Sequence, residues 1–470
     1  MVFAPRGAGK SAQRRMVEIS SPGDEVLCVT YDDFRNRLGR IPVRSTIADH
    51  QLNVARLTVV GLLTWLSING EAGNHLTPDE KTSLRRIAIS LLGTVSQPEL
   101  VRSLKAIRNL PDRAKEVWNE NRWILTSVLS GVNIATGGIG GGTLPAADDH
   151  DYELAPGDAL EALATIARTL GFKAIYVLID RIDETAETQS NGQAAYTLVA
   201  PLMHDLRLLE HRPYAFKFFV PDYIYPQFEE SGGRSDRIKT FHTKWRNHEL
   251  LEMMGRRLNV FSNGKLSDLS EVVSPEDDAS DLVFISLCFA AGSPRDLIRI
   301  WGRALDEQLR SNDAMPGITL EAMMRAVDAF ANERAIEIAT ASVLRDLTRL
   351  GQVDFTVSEV ANDILHVQTN AARRSIQIWD QRGIVRQVGD LSAGRGRPHH
   401  HFSVIDMRVA RSMFPAKSLV EFMADKARYC RTCDSWTMGD WDDPSGQRPE
   451  TCIDCGAPLE VIFENSEGDD

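Results

Sequence analysis

Residues 4 to 11 read Ala4-Pro5-Arg6-Gly7-Ala8-Gly9-Lys10-Ser11. A loop that binds phosphate needs small residues where the backbone curls, so that successive N–H groups and the start of the next helix point at one negative charge. Gly7 and Gly9 provide this freedom. Lys10 would reach the β- and γ-phosphates of a nucleotide, and the Ser11 hydroxyl would take a magnesium position. Ala4 is the one departure from the pattern GxxxxGK[ST], and a negative φ makes it tolerable. The predicted phosphate loop consists of Gly7, Ala8, Gly9, Lys10, Ser11 and Ala12.

A second stretch with the chemistry of a nucleotide site is the run Ile-Tyr-Val-Leu-Ile-Asp at 175–180. Its five apolar residues are typical of a parallel strand buried on both faces, and Asp180 ends the strand where a ligand to magnesium-bound water belongs. Asp183 and Glu184 follow at the carboxyl edge of the predicted sheet, where ligands of open α/β sheets collect. One of the two could orient or deprotonate an attacking water. The alternative is that both begin a solvated loop or cap a helix that starts near Gln193.

Together these segments resemble the STAND class of signal-transducing P-loop ATPases, relatives of AAA+ proteins and of origin-recognition ATPases. Residues 177–184 match the form hhhhD-x-h-D-E of the second motif of that class. Residues 216–220 look like the strand before the first sensor position. The run Ala-Gly-Ser-Pro-Arg-Asp-Leu at 291–297 resembles the sensor 2 element that opens a helix of the lid. The resemblance implies an ATPase that uses ATP and Mg²⁺, with Arg295 touching the γ-phosphate from the lid.

The chain departs from the family pattern at three points. Pro221, followed by Asp222, stands where the family has a polar or arginine sensor residue. The sequence does not identify an arginine finger. Only three residues precede Ala4, whereas a strand usually has about five. Either these residues are the clipped edge of the first strand, or the true start of the protein lies upstream.

The composition is that of a soluble intracellular protein. Of the 470 residues, 43% are hydrophobic and 25% are charged, and the net charge is −12. The apolar runs fall short of the ~20 residues that a membrane helix needs, and a basic head with an apolar signal core is missing. We therefore expect a cytoplasmic protein without a membrane partner. The length suggests about three domains of ~150 residues each.

Four of the six cysteines form two pairs with the spacing of a zinc ribbon. Cys430 and Cys433 make the first pair, and Cys452 and Cys455 make the second, with 18 residues between them. Each pair fits a tight knuckle that aims two thiolates at one tetrahedral Zn²⁺. The alternatives are a redox pair or disulfides, which the reducing cytosol disfavours. Four thiolates leave the metal no open position, so the predicted zinc site is structural.

The order of these patterns predicts an α/β P-loop NTPase with a parallel sheet, followed by smaller domains. The predicted divisions are an ATPase core at 1–240 with a helical insertion at about 47–132, a helical lid at 241–334, a winged helix at 335–415 and a zinc ribbon at 425–465. Trp65, Trp118 and Trp123 are expected in the core of the insertion. The glycine tract at 137–142 lacks a following lysine, so we interpret it as a flexible surface loop.

The winged helix is indicated by helices near 336–350, 357–365 and 369–382, followed by two strands around a loop at 392–398. The polar face of its third helix, which could enter a major groove, carries Thr369, Asn370, Arg373, Arg374 and Gln377. Arg395 and Arg397 lie on the wing. Residues 335–415 hold ten Arg against eight Asp or Glu, whereas the whole chain is acidic. Double-stranded DNA is one expected partner, and a packing or protein-interaction role for the winged helix is the alternative.

Two classes of function follow from these patterns. In the first, the chain is a slow ATPase whose nucleotide state is passed to a partner, with a separately encoded effector and a nucleotide-dependent homo-oligomer as expectations. The family resemblance suggests a place in bacterial defence against phage. In the second, the chain is an ATP-dependent DNA-binding regulator or loader akin to origin-recognition ATPases. ATPase turnover with and without double-stranded DNA separates the two.

Overall fold

The computed structural model describes residues 1–35, 45–92, 155–185, 187–188, 191–311, 316–391, 399–441 and 450–462. It divides into two compact units, Met1–Thr243 and Lys244–Asp470. The predicted positions Trp118, Trp123, Arg395 and Arg397 and the glycine tract at 137–142 lie outside the described residues. None of the helices in the described part of the chain combines the length and the apolar character that crossing a bilayer requires.

The first unit alternates strands with helices. Its strands are β1 (Val2–Ala4), β2 (Val26–Tyr31), β3 (Ala174–Ile179), β4 (Tyr214–Pro221) and β5 (Phe241–His242). Its helices are α1 (Lys10–Ser20), α2 (Ile47–Ile68), α3 (Pro78–Leu92), α4 (Pro156–Thr169), α5 (Gly192–His204), α6 (Leu206–Leu209) and α7 (Tyr225–Glu230), with 3₁₀ turns at Gly70–His75 and Asp222–Ile224.

The five strands form one parallel sheet in the order β2-β3-β4-β1-β5. This confirms the predicted parallel α/β sheet and fits a P-loop α/β fold. The connection after β1 leads to β2 at one edge of the sheet, whereas the connection after β4 leads to β5 at the opposite edge. The carboxyl ends of β1 and β4 therefore flank the point where the strand order reverses, and ligands of open α/β sheets bind in the crevice there.

The sheet is buried by apolar helices. All six residues of β2 are buried, as are Val177, Leu178 and Ile179 at the end of β3, where the apolar run predicted a strand covered on both faces. Complete burial of one such side chain contributes roughly 1.5–3 kcal/mol. Helices α2 and α3, which lie in the region predicted as an insertion, share this core, and Trp65 packs against it while half-buried. The first half of that region therefore forms part of the layer that covers the sheet.

The second unit is mainly helical. Its helices are α8 (Asn247–Phe261), α9 (Ala279–Ala290), α10 (Pro294–Ser311), α11 (Leu320–Leu350), α12 (Val357–Glu359, continued as a π turn at Val360–Ile364), α13 (Thr369–Gln381), α14 (Met407–Met413) and α15 (Leu419–Lys426), with a 3₁₀ turn at Leu269–Val272. Its strands are β6 (Asp354–Thr356), β7 (Val385–Leu391), β8 (His399–Val404), β9 (Ala427–Cys430) and β10 (Ser435–Met438).

Helix α11 crosses the boundary predicted between a lid and a winged helix at 334/335. Its helical geometry is interrupted only at Thr340, where φ is 63° and ψ is 155°. One hydrophobic core extends from Leu250 on α8 through Phe330 on α11 to Met438 on β10. The segments predicted as lid, winged helix and ribbon thus share a core, which hydrophobic periodicity within each segment did not indicate.

Two antiparallel sheets lie in the C-terminal half of this unit. Strands β6, β8 and β7 form a three-stranded sheet in that order, and β9 and β10 form a hairpin. The sequence predicted β7 and β8 but did not predict β6. Asp440, just after the hairpin, accepts hydrogen bonds from the backbone N–H groups of Val353 and Asp354, at 2.7 Å each. The hairpin is therefore tied to the start of β6 and does not stand apart from it.

Candidate nucleotide-binding site

The loop between β1 and α1 has the backbone geometry of an anion-binding turn. Gly7 and Gly9 adopt φ angles of 85° and 88°, in the left-handed region that favours glycine. Gly9 is the N-cap of α1, and among the described residues no side chain caps this helix start. The first N–H groups of α1 and its positive dipole end are therefore presented to the crevice. Ala4, which replaces the first glycine of the pattern, lies in β1 opposite Pro221 and is completely buried.

Lys10 begins α1 and turns back over the loop. Its Nζ donates to the carbonyl oxygens of Ala4 and Pro5, at 3.0 Å each. Burial lowers the pKa of the Lys10 ammonium, and the carboxylates of Asp183 and Asp222 oppose that shift. The charge of Lys10 therefore lies inside the loop among carboxylates that come from two other strand ends. Ser11 follows in the same first turn and is partly buried.

Asp180, directly after β3, is 2% exposed and held at both oxygens. Its Oδ2 accepts from Arg14 Nε at 2.9 Å, and its Oδ1 accepts from the N–H of Arg181 at 2.9 Å. Arg181 has a left-handed φ of 61°, which turns the chain away from the strand. The sequence indicated the position of Asp180 but gave no sign of Arg14, because the two residues are 166 positions apart.

The two further carboxylates of the acidic motif have different surroundings. Asp183 is 5% exposed, and Arg6 of the phosphate loop donates from Nε to its Oδ2 at 2.9 Å and from Nη2 to its carbonyl oxygen at 3.0 Å. Glu184 is exposed and lies 3.5 Å from Arg181 Nε. The alternative of a solvated position fits Glu184 only. Neither residue caps the next helix, since Asn191 accepts from the N–H of Ala194 at 3.0 Å and caps α5.

The end of β4 supplies residues that the sequence left unassigned. Asp222 follows Pro221, which is the register partner of Ala4. Burial raises the pKa of Asp222, and the nearby Lys10 opposes this shift. Burial, followed by the charge of Asp183, raises the pKa of Tyr223 to about 12, and the hydroxyl of Tyr223 is hydrogen-bonded to Arg6. The strand order alone could have directed attention here, because β4 neighbours β1 in the sheet.

Arg295 is the second residue of α10 and is exposed. The turn before it contains two left-handed residues, Ala291 with φ 49° and Gly292 with φ 74°. Ser293 accepts from the N–H of Asp296 at 3.2 Å and so caps the helix. These features orient the first turn of α10 within the second unit. The contact of Arg295 with a γ-phosphate stays a prediction.

The four paired cysteines come together in the second unit. Their sulfur atoms all lie within 4.8 Å of one another. Cys430 and Cys455 are 3.5 Å apart, and Cys433 and Cys452 are 3.4 Å apart. Zn–S bonds of about 2.3 Å at tetrahedral angles would place sulfurs roughly 3.8 Å apart, so the cluster has the dimensions of one zinc site. Gly456, with φ 72°, makes the turn that follows the last cysteine.

The predicted recognition helix corresponds to α13. Ala372, Ile376 and Trp379 are buried on one face. The polar residues predicted to face a groove are exposed: Thr369, Asn370, Arg373, Arg374 and Gln377. A helix with a solvated basic face on a three-stranded antiparallel sheet is compatible with nucleic-acid contact, and it is equally compatible with a protein partner.

Comparison with known proteins gives little further information. No protein-family model matches the chain, and no curated protein does. Among solved structures, two variants of RuvB from Thermotoga maritima are similar to it at 14% sequence identity, with TM-scores of 0.25 and 0.23. Each match covers 52% of this chain and 80% of the RuvB chain. Similarity at this level does not indicate a function, so a proposed function has to rest on the geometry of the site.

Proposed function

We propose that this chain is an ATP-binding and slowly ATP-hydrolysing molecular switch. The observation that carries the proposal is the phosphate loop at the reversal point of a parallel sheet. There Gly7 and Gly9 turn the backbone, Lys10 is held in the loop, and carboxylates follow the ends of β3 and β4. Backbone N–H groups, a lysine and a helix N-terminus form the donor set that a polyphosphate needs.

Mg²⁺ prefers oxygen ligands and keeps several of its waters, so the Ser11 hydroxyl would bind it directly and the Asp180 carboxylate would hold it through a bound water. Bound Mg²⁺ would neutralise charge on the phosphate oxygens. Lys10 would bind the β- and γ-phosphates, because its buried ammonium already lies in the loop. The sensor 2 resemblance supports a role for Arg295 in reporting the γ-phosphate from the lid.

We assign different roles to Asp183 and Glu184. The buried Asp183 carboxylate, which accepts from Arg6 Nε at 2.9 Å, would hold Arg6 and thereby the phosphate loop. The exposed Glu184 carboxylate is accessible to water, so Glu184 would orient or deprotonate the attacking water. Exchange of Glu184 for Gln should therefore lower turnover and preserve ATP affinity.

The test of the proposal is nucleotide binding and hydrolysis by the full chain. Lys10→Ala should abolish tight ATP binding, and Asp180→Asn should mainly impair magnesium-dependent hydrolysis. Lys173→Ala is the matched control, because Lys173 is exposed and its ion pair within the described part of the chain is with Glu25, just before β2. Unchanged ATP affinity in Lys10→Ala would contradict the nucleotide site.

We also propose that Cys430, Cys433, Cys452 and Cys455 bind one structural zinc ion. Zinc binding contributes roughly 10 kcal/mol or more to small zinc domains. Cys455→Ser should release the metal and expose the chain from about residue 428 onward to proteolysis, while ATP affinity is preserved. Cys288→Ala is the control, since Cys288 is buried in the same unit and is not one of the four clustered cysteines. Protein that carries no zinc after purification under reducing conditions without chelators would refute the site.

The second candidate function is an ATP-dependent DNA-binding regulator, in which the exposed Arg373 and Arg374 would contact phosphates. Replacement of both by Ala should weaken binding to double-stranded DNA uniformly across sequences and flatten its salt dependence, because such contacts neutralise phosphates. ATP turnover that rises with DNA in the wild-type chain would favour this candidate. Turnover that is indifferent to DNA would leave the partner-coupled switch.

A further inference from the structure

A network of buried polar side chains joins the helix that follows the phosphate loop to the neighbouring strands. Its members come from three elements: Arg14 and Glu18 on α1, Thr30 on β2 and Asp180 after β3. Their exposed fractions are 3%, 1%, 2% and 2%. Removing a charged group this completely from water costs several kcal/mol unless the group is paired and hydrogen-bonded. The members of this network offset that cost because they hydrogen-bond to one another.

Arg14 donates three hydrogen bonds within this network. Arg14 Nε donates to Asp180 Oδ2 at 2.9 Å, and Nη1 donates to Thr30 Oγ1 at 3.0 Å and also to Glu18 Oε1. Thr30 Oγ1 donates in turn to Glu18 Oε1 at 2.8 Å. The second oxygen of Glu18 accepts from Arg15 Nη1 at 3.0 Å. Glu18 and Thr30 therefore hold the guanidinium that holds Asp180.

We propose that Arg14 is a positioning residue that fixes the Asp180 carboxylate relative to the first turn of α1. Arg14 lies about one helical turn after Lys10 and Ser11, so one rigid helix carries both the phosphate-binding groups and the clamp on the acid. Elements that hold reacting groups in fixed relation can contribute roughly a hundredfold to a rate. The inference rests on the proposed function and assigns a role within its nucleotide site.

The chemistry of the clamp favours this role over a purely structural one. A buried ion pair is often no more stabilising than apolar residues of similar volume, so stability alone does not call for a guanidinium here. The planar fork of arginine bonds Asp180 and Glu18 at the same time, whereas a lysine ammonium is a point charge that cannot reproduce the fork. Arg14→Lys therefore keeps the charge and removes the geometry.

The test measures ATP affinity with Mg²⁺ and with EDTA, using a fluorescent ATP analogue, together with turnover. In Arg14→Lys we expect the gain in affinity that Mg²⁺ provides to fall at least tenfold, while affinity in EDTA changes less than threefold. Arg15→Lys is the matched control, because Arg15 bonds the same Glu18, is half-exposed and lies on the same helix. Thr30→Val removes one hydroxyl from the network and should give a smaller change in the same direction.

The outcomes separate the inference from the function on which it rests. Wild-type protein that binds no ATP in either condition would refute the nucleotide site itself. Magnesium dependence that stays at the wild-type level in both Arg14→Lys and Thr30→Val would overturn the positioning role. Equal losses with Mg²⁺ and with EDTA in Arg14→Lys would show that Arg14 merely supports the loop. If Arg14→Lys does not fold, the Thr30→Val result decides.

Discussion

His50 in the core of the first unit makes folding stability depend on pH in a predictable direction. The ring is fully buried on α2, between the hydroxyl of Tyr31, which is 2.7 Å from Nδ1, and the carbonyl of Leu198, which is 2.9 Å from Nε2. A neutral ring that accepts at Nδ1 and donates from Nε2 satisfies both contacts. Burial lowers the pKa of His50 from 6.5 to about 4, and the hydrogen bond to the Leu198 carbonyl and the charge of Asp49 oppose that shift.

The direction of the pH dependence follows from the unfolded chain, in which His50 binds a proton more readily than in the folded chain. Stability from the neutral ring is fully present above pH 6.5 and declines as the pH falls toward 4, because the unfolded state takes up a proton that the folded state refuses. The difference between the two pKa values corresponds to about 3 kcal/mol in total, of which about 2 kcal/mol is already lost at pH 5.

The assay is urea unfolding of wild type and His50→Gln at pH 7.5, 6.5, 5.5 and 5.0. The variant places a neutral amide at the site, so other titrating groups cancel in the difference between the two proteins. Wild type should lose about 2 kcal/mol more than the variant between pH 7.5 and pH 5. A difference that is constant over this range would refute the assignment of a buried neutral histidine.

Three further predictions concern single contacts. Arg295→Ala should weaken ATP more than ADP if the lid senses the γ-phosphate, with Arg310→Ala on the exposed end of α10 as control, and equal losses would make Arg295 structural. Gly9→Ala forces a side chain to φ 88°, so it should cost about 1–2 kcal/mol of stability and weaken nucleotide binding. Gly157→Ala is the control, because the added Cβ meets no neighbouring atom within 4 Å. Thermal unfolding and nucleotide titration of both variants measure the two effects. Asn191→Ala should remove the cap of α5 and cost about 1 kcal/mol in urea unfolding without changing ATP affinity.

The parts of the site that the sequence predicted are those whose chemistry is local. Gly7, Gly9 and Lys10 lie within four consecutive residues, so the turn and its charge can be inferred from the short motif at residues 4–11. Asp180 ends an apolar run that is typical of a buried strand, and the sheet has that strand between β2 and β4. Short-range patterns of this kind depend little on the rest of the fold.

The groups that pair with these residues escaped prediction because tertiary structure brings them together. Arg14 lies on the face of α1 that meets β2 and β3, and its sequence neighbour Arg15 is half-exposed, so composition cannot separate the two. Asp222 contributes only because β4 lies next to β1, an arrangement fixed by strand order. The shared core of the second unit was missed for the same reason, since α11 carries the core across the predicted boundary.

The charges of the site add a reason to expect magnesium dependence. Three cationic side chains, Arg6, Lys10 and Arg14, face four carboxylates: Asp180, Asp183, Glu18 and Asp222. Two of the cations are already engaged in ion pairs, and only Lys10 bonds to backbone carbonyls instead of a carboxylate. A polyphosphate that binds without a metal ion would therefore meet one cation that is not paired with a carboxylate, Lys10, among several carboxylates. A divalent ion that arrives with the nucleotide turns those same acids into attractive partners, which is why the ratio of ATP affinities with Mg²⁺ and with EDTA is the most informative measurement on this chain.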